Sequence, residues 1–320
     1  MKRRKKIQRG IGLLILLGAL CSAVLAQPDN DRAAGERFIQ REENETQEIK
    51  DGQQSGDYME VHFIDVGQGD ATLIKCGGAA MLIDAGDDSK GTLVQNYLQK
   101  QGVTRLDYLV LTHPDSDHIG GAPVIISKFD IDTVFMSDYE KDNKTYRKLI
   151  QALDDKALAW STPEVGSEWR LGEACFTILG PNGVYSDPNN ASVVLLVENG
   201  RNGFLFTGDA EEKAEQDILE NGLSVRADVY KAGHHGSRTA SCEAFVEAVS
   251  PKTAVISCAE GNSYGHPHAQ TLNTFRIAGI EVYRTDEQGS MIATSDGSVI
   301  TWNCAPSDSW KAGEPTGGAK

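Results

Sequence analysis

Positive charge is scarce in this chain. Its 320 residues carry 31 Lys and Arg against 46 Asp and Glu, a formal net charge of −15. Six basic side chains (Lys2, Arg3, Arg4, Lys5, Lys6, Arg9) crowd into the first nine residues; beyond them 25 basic side chains face 46 acidic ones, a net −21. So acidic a surface repels polyanions at long range, and an anionic polymer would need a local basic patch to bind. Cysteine is scarce too: six in all, none in a CxxC spacing, so no pairing can be read from the sequence and the default for each is a buried apolar thiol. Long apolar runs are nearly absent. The single one, residues 11–26, is on the short side for a membrane-spanning helix.

That run follows the basic start directly, which is the layout of a secretory signal. Val24-Leu25-Ala26 before Gln27 offers small residues for cleavage. An uncleaved anchor ranks second and lipidation at Cys21 third, since Leu20 is large for a lipidation site. Any of these puts the remaining chain outside the cytoplasm, where disulfides are permitted, and limits membrane contact to the N-terminal segment. Residues 27–57 are polar, charged and without period, the composition of a disordered acidic linker. Residues 58–304 alternate strand and helix signals without a break, and 305–320, rich in Gly, Pro and Ser, read as a flexible tail. The pattern predicts strands over 59–64, 71–75, 79–83 and 106–111, a helix over 91–101 and another over 119–128, then further strand and helix signals to residue 302. Such alternation suits two sheets packed face to face with helices outside, a single α/β domain.

Histidine is also few, seven in all, but six of the seven fall in three clusters and only His62 stands apart. The densest is Thr112-His113-Pro114-Asp115-Ser116-Asp117-His118-Ile119-Gly120-Gly121, directly after the predicted strand at 106–111. Imidazole nitrogen and carboxylate oxygen are ligands for Zn²⁺, Mn²⁺ and Fe, and four such groups on one loop repel one another unless a cation offsets them. Four other stretches put polar residues at strand ends. In Asp65-Val66-Gly67-Gln68-Gly69-Asp70 a glycine turn lets Asp65, Gln68 and Asp70 converge. Asp84 follows an apolar strand and could orient a ligand histidine from behind. Asp209 follows Thr207-Gly208 and either caps the next helix or bridges two metals. In Lys231-Ala232-Gly233-His234-His235-Gly236-Ser237-Arg238 the adjacent histidines point apart, so one can ligate while the other faces substrate; Ser237 and Arg238 could bind phosphate oxygens, with Lys231 adding positive character. Tyr264-Gly265-His266-Pro267-His268 supplies two more imidazoles.

These residues resemble the metallo-β-lactamase superfamily over about residues 58–303: Asp84 after its strand, the His-x-Asp-x-Asp-His loop, Thr207-Gly208-Asp209 and Gly233-His234-His235-Gly236. With Asn189-Asn190-Ala191-Ser192 and the Tyr264–His268 stretch, the likeness narrows to the hydrolase domain of ComEC-type DNA-uptake proteins and their free-standing secreted relatives. The resemblance implies a four-layer αββα sandwich with one or two divalent ions, Zn or Mn, held by His113, Asp115, Asp117, His118, Asp209 and His235. It implies a phosphodiesterase or nuclease acting on extracellular DNA through metal-activated water. Asp117 would hold the nucleophile, and His234, His266 or His268 would stabilise developing charge or protonate the leaving oxygen. Two positions depart from the superfamily pattern: Asp115 stands where His is usual, and the third-loop His is missing near Asn190 and Ser192. Both make the first metal position oxygen-rich, favour Mn²⁺ there and leave open a single-metal site on Asp117, His118, Asp209 and His235. The alternatives are a cell-envelope phosphodiesterase of teichoic-acid or phosphorylcholine type, and a non-catalytic metal-binding module. No protein partner is implied.

Overall fold

The structure, a computed structural model, describes residues 58–314. The expected signal segment and acidic linker (1–57) lie outside the described residues, as does the end of the tail, 315–320. The chain opens with the strands β1 (Met59–Phe63), β2 (Thr72–Cys76) and β3 (Ala79–Ile83), then helix α1 (Gly91–Lys100) and strand β4 (Arg105–Leu111). Helices α2 (Ser116–Ile119) and α3 (Ala122–Lys128), strand β5 (Asp130–Met136), helix α4 (Lys144–Asp155) and the short β6 (Trp160–Ser161) complete the first half. The second half runs β7 (Glu168–Leu171), β8 (Ala174–Gly180), β9 (Val194–Asn199), β10 (Asn202–Phe206), α5 (Glu212–Glu220), β11 (Val229–Lys231), α6 (Glu243–Val249), β12 (Thr253–Ile256), α7 (Ala269–Ile277) and β13 (Glu281–Arg284). Helix α8 (Thr285–Gln288) leads to β14 (Met291–Ser295) and β15 (Ile300–Trp302), which return to the first half.

Two mixed sheets result. One orders its strands β15-β14-β1-β2-β3-β4-β5-β6, the other β13-β12-β11-β10-β9-β8-β7. Side chains that alternate across a strand feed two different cores. On β10, Phe204 and Phe206 enter the layer between the sheets, while Leu205 faces α5 and α6. On β4, Val110 enters the inter-sheet layer while Leu109 and Leu111 face α1, α3 and α4. Three stacked apolar layers follow, helix–sheet, sheet–sheet and sheet–helix, which is the four-layer αββα sandwich.

The parallel strands β3 and β4 in one sheet and β10, β11 and β12 in the other end at one edge of the sandwich. Each passes into a loop there, so loops far apart in sequence meet above the inter-sheet core. The pattern at 119–128 predicts one helix, but the chain forms α2 and α3 with a break at Gly120-Gly121. A Cβ at Gly121 would lie 2.1 Å from Ala85 O, and Gly121 N–H donates to Gly86 O at 2.9 Å. The pair thus lets the backbone after α2 lie directly on the Asp84-Ala85-Gly86 turn.

The described part of the tail is tied to the body. Ser307 N–H donates to Val282 O, Arg284 Nη1–H to Lys311 O and Gly313 N–H to Pro267 O. The five described cysteines, Cys76, Cys175, Cys242, Cys258 and Cys304, are free thiols. Among the described residues no helix is long and apolar enough to cross a membrane.

Candidate metal centre

His118, on α2, and His235, in the turn after β11, face each other with Nε2 atoms 3.3 Å apart. Their far nitrogens fix what those atoms carry. His118 Nδ1–H donates to Asp84 Oδ2 at 2.8 Å, and His235 Nδ1–H donates to the Ser257 carbonyl at 3.0 Å. A carbonyl and a carboxylate only accept, so both Nδ1 atoms hold a proton, and each ring presents at Nε2 either a lone pair or, where no metal takes it, a second proton. Two lone pairs at 3.3 Å repel unless a cation lies between or beside them. A third ring is arranged the same way. Thr112 Oγ1 donates to Asp84 Oδ2 at 2.7 Å, which leaves it to accept from His113 Nδ1 at 3.2 Å. His113 Nε2 is buried without a hydrogen-bond partner.

Asp209, at the end of β10, sits at the centre of the three rings. Its oxygens lie 3.2 Å from His118 Nε2, 3.5 Å from His235 Nε2 and 3.8 Å from His113 Nε2. It is buried, and among the described residues its Oδ1 has no hydrogen-bond partner. Asp70, His118, Asp209 and His235 offer four ligand atoms that all lie within 4.8 Å of one another. Leaving such atoms unsatisfied inside a protein costs about 1–3 kcal/mol each, and a divalent cation accepting oxygen and imidazole donors satisfies them together. The donor set therefore fits a metal.

Charge acts in the same direction. Burial works against a charged imidazole, yet Asp209 and Asp84 hold the His118 pKa well above the ordinary histidine value. Burial likewise opposes charge on His235, but Asp209 and Asp117 push it up to about 10. Asp209 is buried, which alone would raise it, but His118 and His235 hold it well below the carboxylate range. These pulls all favour positive charge in the pocket and negative charge on its carboxylates.

Local backbone explains how the side chains converge. Asp84, His234 and His235 are non-glycine residues at φ values of 57°, 48° and 54°. Such left-handed conformations cost energy in an ordinary loop and cluster at functional sites. Gly69 (φ 137°) is held where a Cβ would lie 2.4 Å from Asp117 O. That approach brings Asp70 over the His113–His118 loop, where its N–H donates to Asp117 O at 3.1 Å.

Asp117 is half-buried, with Oδ2 3.3 Å from His235 Nε2, and neighbouring histidines hold its carboxyl below the usual range against the effect of burial. The Asp115 carboxylate pairs with Lys141 Nζ at 2.6 Å, which takes it up from outside the loop. Lys231 is buried with Nζ 2.9 Å from Asp70, so its charge neutralises that carboxylate rather than facing solvent. Asp65 accepts from Gly67 N–H, and Gln68 Oε1 lies 3.5 Å from Ala259 N. Asn190 Oδ1 accepts from Glu211 N–H and Ala214 N–H and so ties the start of α5, while Ser192 Oγ accepts from Asp209 N–H at 3.1 Å. Ser237 is buried, its Oγ bonded to Thr239 Oγ1.

Three histidines line the approach. His234 Nδ1 lies 3.1 Å from Glu211 Oε1, and its Nε2 lies 3.8 Å from Asp209 Oδ2. Burial opposes charge on His234, but Glu211 raises its pKa above the ordinary value. His266 is buried with an unpartnered Nδ1, and burial and the adjacent histidines lower its pKa to about 3. His268 Nδ1 accepts from Arg238 N–H at 3.0 Å. Sequence reasoning missed the Glu211–His234 and Lys141–Asp115 pairs, whose partners carry no local signal. His62, outside the clusters, bonds Tyr97 Oη at 3.1 Å.

Comparison with known proteins agrees with this geometry. The chain is 31% identical over 272 residues to ComE operon protein 3 of Bacillus subtilis, covering 77% of this chain and 34% of that one. It is 35% identical over 219 residues to Recombination protein 2 of Haemophilus influenzae, covering 67% of this chain and 26% of that one. The chain thus spans about a quarter to a third of the length of these relatives. Among solved structures, the metallo-beta-lactamase fold protein YhfI of Bacillus subtilis superposes with a TM-score of 0.51 at 14% identity, covering 75% of this chain and 100% of that one, a likeness of fold. The family model of the metallo-beta-lactamase superfamily matches residues 64–260. The chain belongs to the metallo-β-lactamase superfamily, a hydrolase superfamily, and carries a candidate metal site of buried Asp and His side chains.

Proposed function

We propose that this chain is an exported metal-dependent phosphodiesterase that hydrolyses DNA, with Zn²⁺ or Mn²⁺ in the Asp70–His118–Asp209–His235 pocket. The observation that carries the reading is the pair of imidazole lone pairs at 3.3 Å around the unpartnered Asp209 oxygen. His113 and Asp117 flank the same pocket and could hold a second ion. A divalent cation there supplies Lewis-acid polarisation of a phosphoryl oxygen and activates water.

The chain's own residues do the rest. Asp84 and the Ser257 carbonyl hold His118 and His235 in the tautomers that face the pocket. Asp117, partly open to solvent beside His235 and kept ionised by the neighbouring histidines, orients the attacking water by accepting its hydrogen bond, and the water's proton passes to solvent. His234, whose protonated form is favoured by its contact with Glu211, donates from Nε2 to the leaving oxygen. His266, held neutral, and Arg238 at the rim bind non-bridging oxygens. The names of the relatives, which include Competence protein ComA of Neisseria gonorrhoeae, support a DNA substrate. The basic and apolar segment 1–26 supports export, with the membrane touched only there.

One observation favours a second substrate. A net charge of −21 beyond the first nine residues repels a polyanion and tolerates a zwitterionic head group, as in a phosphorylcholine or teichoic-acid ester of the cell envelope. Elemental analysis of the purified chain, then hydrolysis of bis(p-nitrophenyl) phosphate with added Mn²⁺ or Zn²⁺, tests the chemistry. Single-stranded DNA beside a choline phosphodiester separates the substrates. Metal content without turnover of any of the three esters makes the chain a metal-binding module and ends the enzymatic reading.

A further inference from the structure

Tyr264 is 61% exposed, yet its ring lies flat on His266, with centroids 5.5 Å apart and planes 17° apart. His266 in turn lies nearly parallel to His235, at 6.1 Å and 29°. A column of three rings therefore runs from the cation pocket to the surface, and its outermost ring, Tyr264, is largely open to solvent. This exposed ring rests on a buried histidine whose Nδ1 has no partner among the described residues. The segment is braced from behind: Asn262 Nδ2–H donates to His266 O, Asn262 Oδ1 accepts from Tyr264 N–H and His266 N–H, and Gly313 N–H donates to Pro267 O. Arg238, exposed and without an ion-pair partner among the described residues, joins the same segment through its backbone N–H, which donates to His268 Nδ1.

We propose that Tyr264 is a stacking platform for a nucleobase flanking the scissile phosphodiester, with Arg238 holding a neighbouring phosphate, so that the site takes single-stranded nucleic acid. An aromatic face with a guanidinium beside it is the pairing by which proteins hold unpaired strands without reading their sequence, because every base has a π-face. It also meets the difficulty of an acidic surface: affinity comes from stacking and one local cation rather than from a broad basic patch. A lone aromatic face suits a flat base better than a quaternary ammonium, which is usually enclosed by several rings. The inference rests on the phosphodiesterase reading above.

The test uses the full chain loaded with metal and three substrates: a single-stranded oligodeoxynucleotide, the same backbone with abasic sites, and bis(p-nitrophenyl) phosphate. Tyr264→Ala raises the ratio of oligonucleotide KM to small-ester KM about tenfold, the effect of losing one base–aromatic stack. Tyr264→Phe, which keeps the ring, restores the ratio, and the abasic strand gives the unmodified protein the KM of Tyr264→Ala. An unchanged ratio in Tyr264→Ala overturns the proposal, as does an equal loss on the small ester, which would mean that Tyr264 acts only by positioning His266. If the unmodified chain turns over the small ester but no oligonucleotide, the DNA reading fails and the stack with it. If instead Tyr264→Ala weakens a choline phosphodiester, the platform serves a cation.

Discussion

His235 and His266 are stacked, buried imidazoles 6.1 Å apart, and they are driven in opposite directions. His235 is pushed up to about 10 and His266 down to about 3. Burial acts alike on both, disfavouring the charged ring. The difference lies in what stands opposite. His235 Nε2 has Asp117 and Asp209 within 3.5 Å, whereas His266 has other histidines around it and an unpartnered Nδ1. One ring is built to hold a cation, and the other is kept neutral one step further out. The boundary of the cation pocket thus runs between two rings of the same stack.

Removing the carboxylate that separates the two breaks this contrast most severely. Asp209→Asn keeps size and shape but deletes the charge shared by His113, His118 and His235. Bound metal falls to background by elemental analysis, and kcat/KM for bis(p-nitrophenyl) phosphate drops by about a thousandfold or more, since several kcal/mol of charge stabilisation go with the metal. Retention of full metal content and activity would show that Asp209 is not the centre of the site.

The next effect separates proton donation from cation binding. His234→Gln removes the donor that Glu211 supports, and lowers kcat by about a hundredfold while metal content is retained. His266→Gln, at a ring already neutral, lowers kcat less than His234→Gln. The reverse order would assign the leaving-group proton to His266. A smaller change reaches the pocket only through a ligand's far side. Asp84→Asn no longer accepts equally from His118 Nδ1 and Thr112, and metal affinity, read by competition with a chelator, weakens about tenfold.

Much of this was legible in the chain. Buried apolar runs ending in an acid or histidine mark where β3, β4, β10 and β11 reach one edge, and the glycine turn before Asp70 is a local feature. What was not legible is long-range. Lys231 meets Asp70 across 161 positions and Lys141 meets Asp115 across 26, and no local pattern forecasts which lysine neutralises which acid. Asn190, near the place of a third-loop ligand, turns out to tie the start of α5 through two backbone N–H groups. Edge strand β7, three of whose four residues are exposed, lacks the apolar signature of a strand. The Gly120-Gly121 break obeys contacts with Ala85 and Gly86 that no helix propensity contains.

The smallest effect arises at a carboxylate outside the cation pocket, where burial acts as it does on His266. Glu215, on α5, is fully buried with no cation beside it among the described residues; its carboxylate accepts from Ser241 N–H at 2.6 Å and Cys242 N–H at 2.9 Å. Like His266 it has burial without countercharge, and burial raises its pKa from 4.5 to about 7, although the two backbone donors pull it down. The sign follows from linkage. Between pH 4.5 and 7 the folded chain holds a proton that the unfolded chain has released, so this group's contribution to stability is full below pH 4.5 and declines as pH rises to 7. The decline amounts to about 2–3 kcal/mol. Glu215→Gln, an isostere of the protonated acid, removes it. Urea unfolding of metal-free protein at pH 4.5 and pH 7 should therefore show a stability difference between variant and wild type that moves in the variant's favour as pH rises. A difference that stays constant would mean that Ser241 and Cys242 hold the buried carboxylate ionised throughout, and that burial without an opposing charge does not decide protonation in this fold.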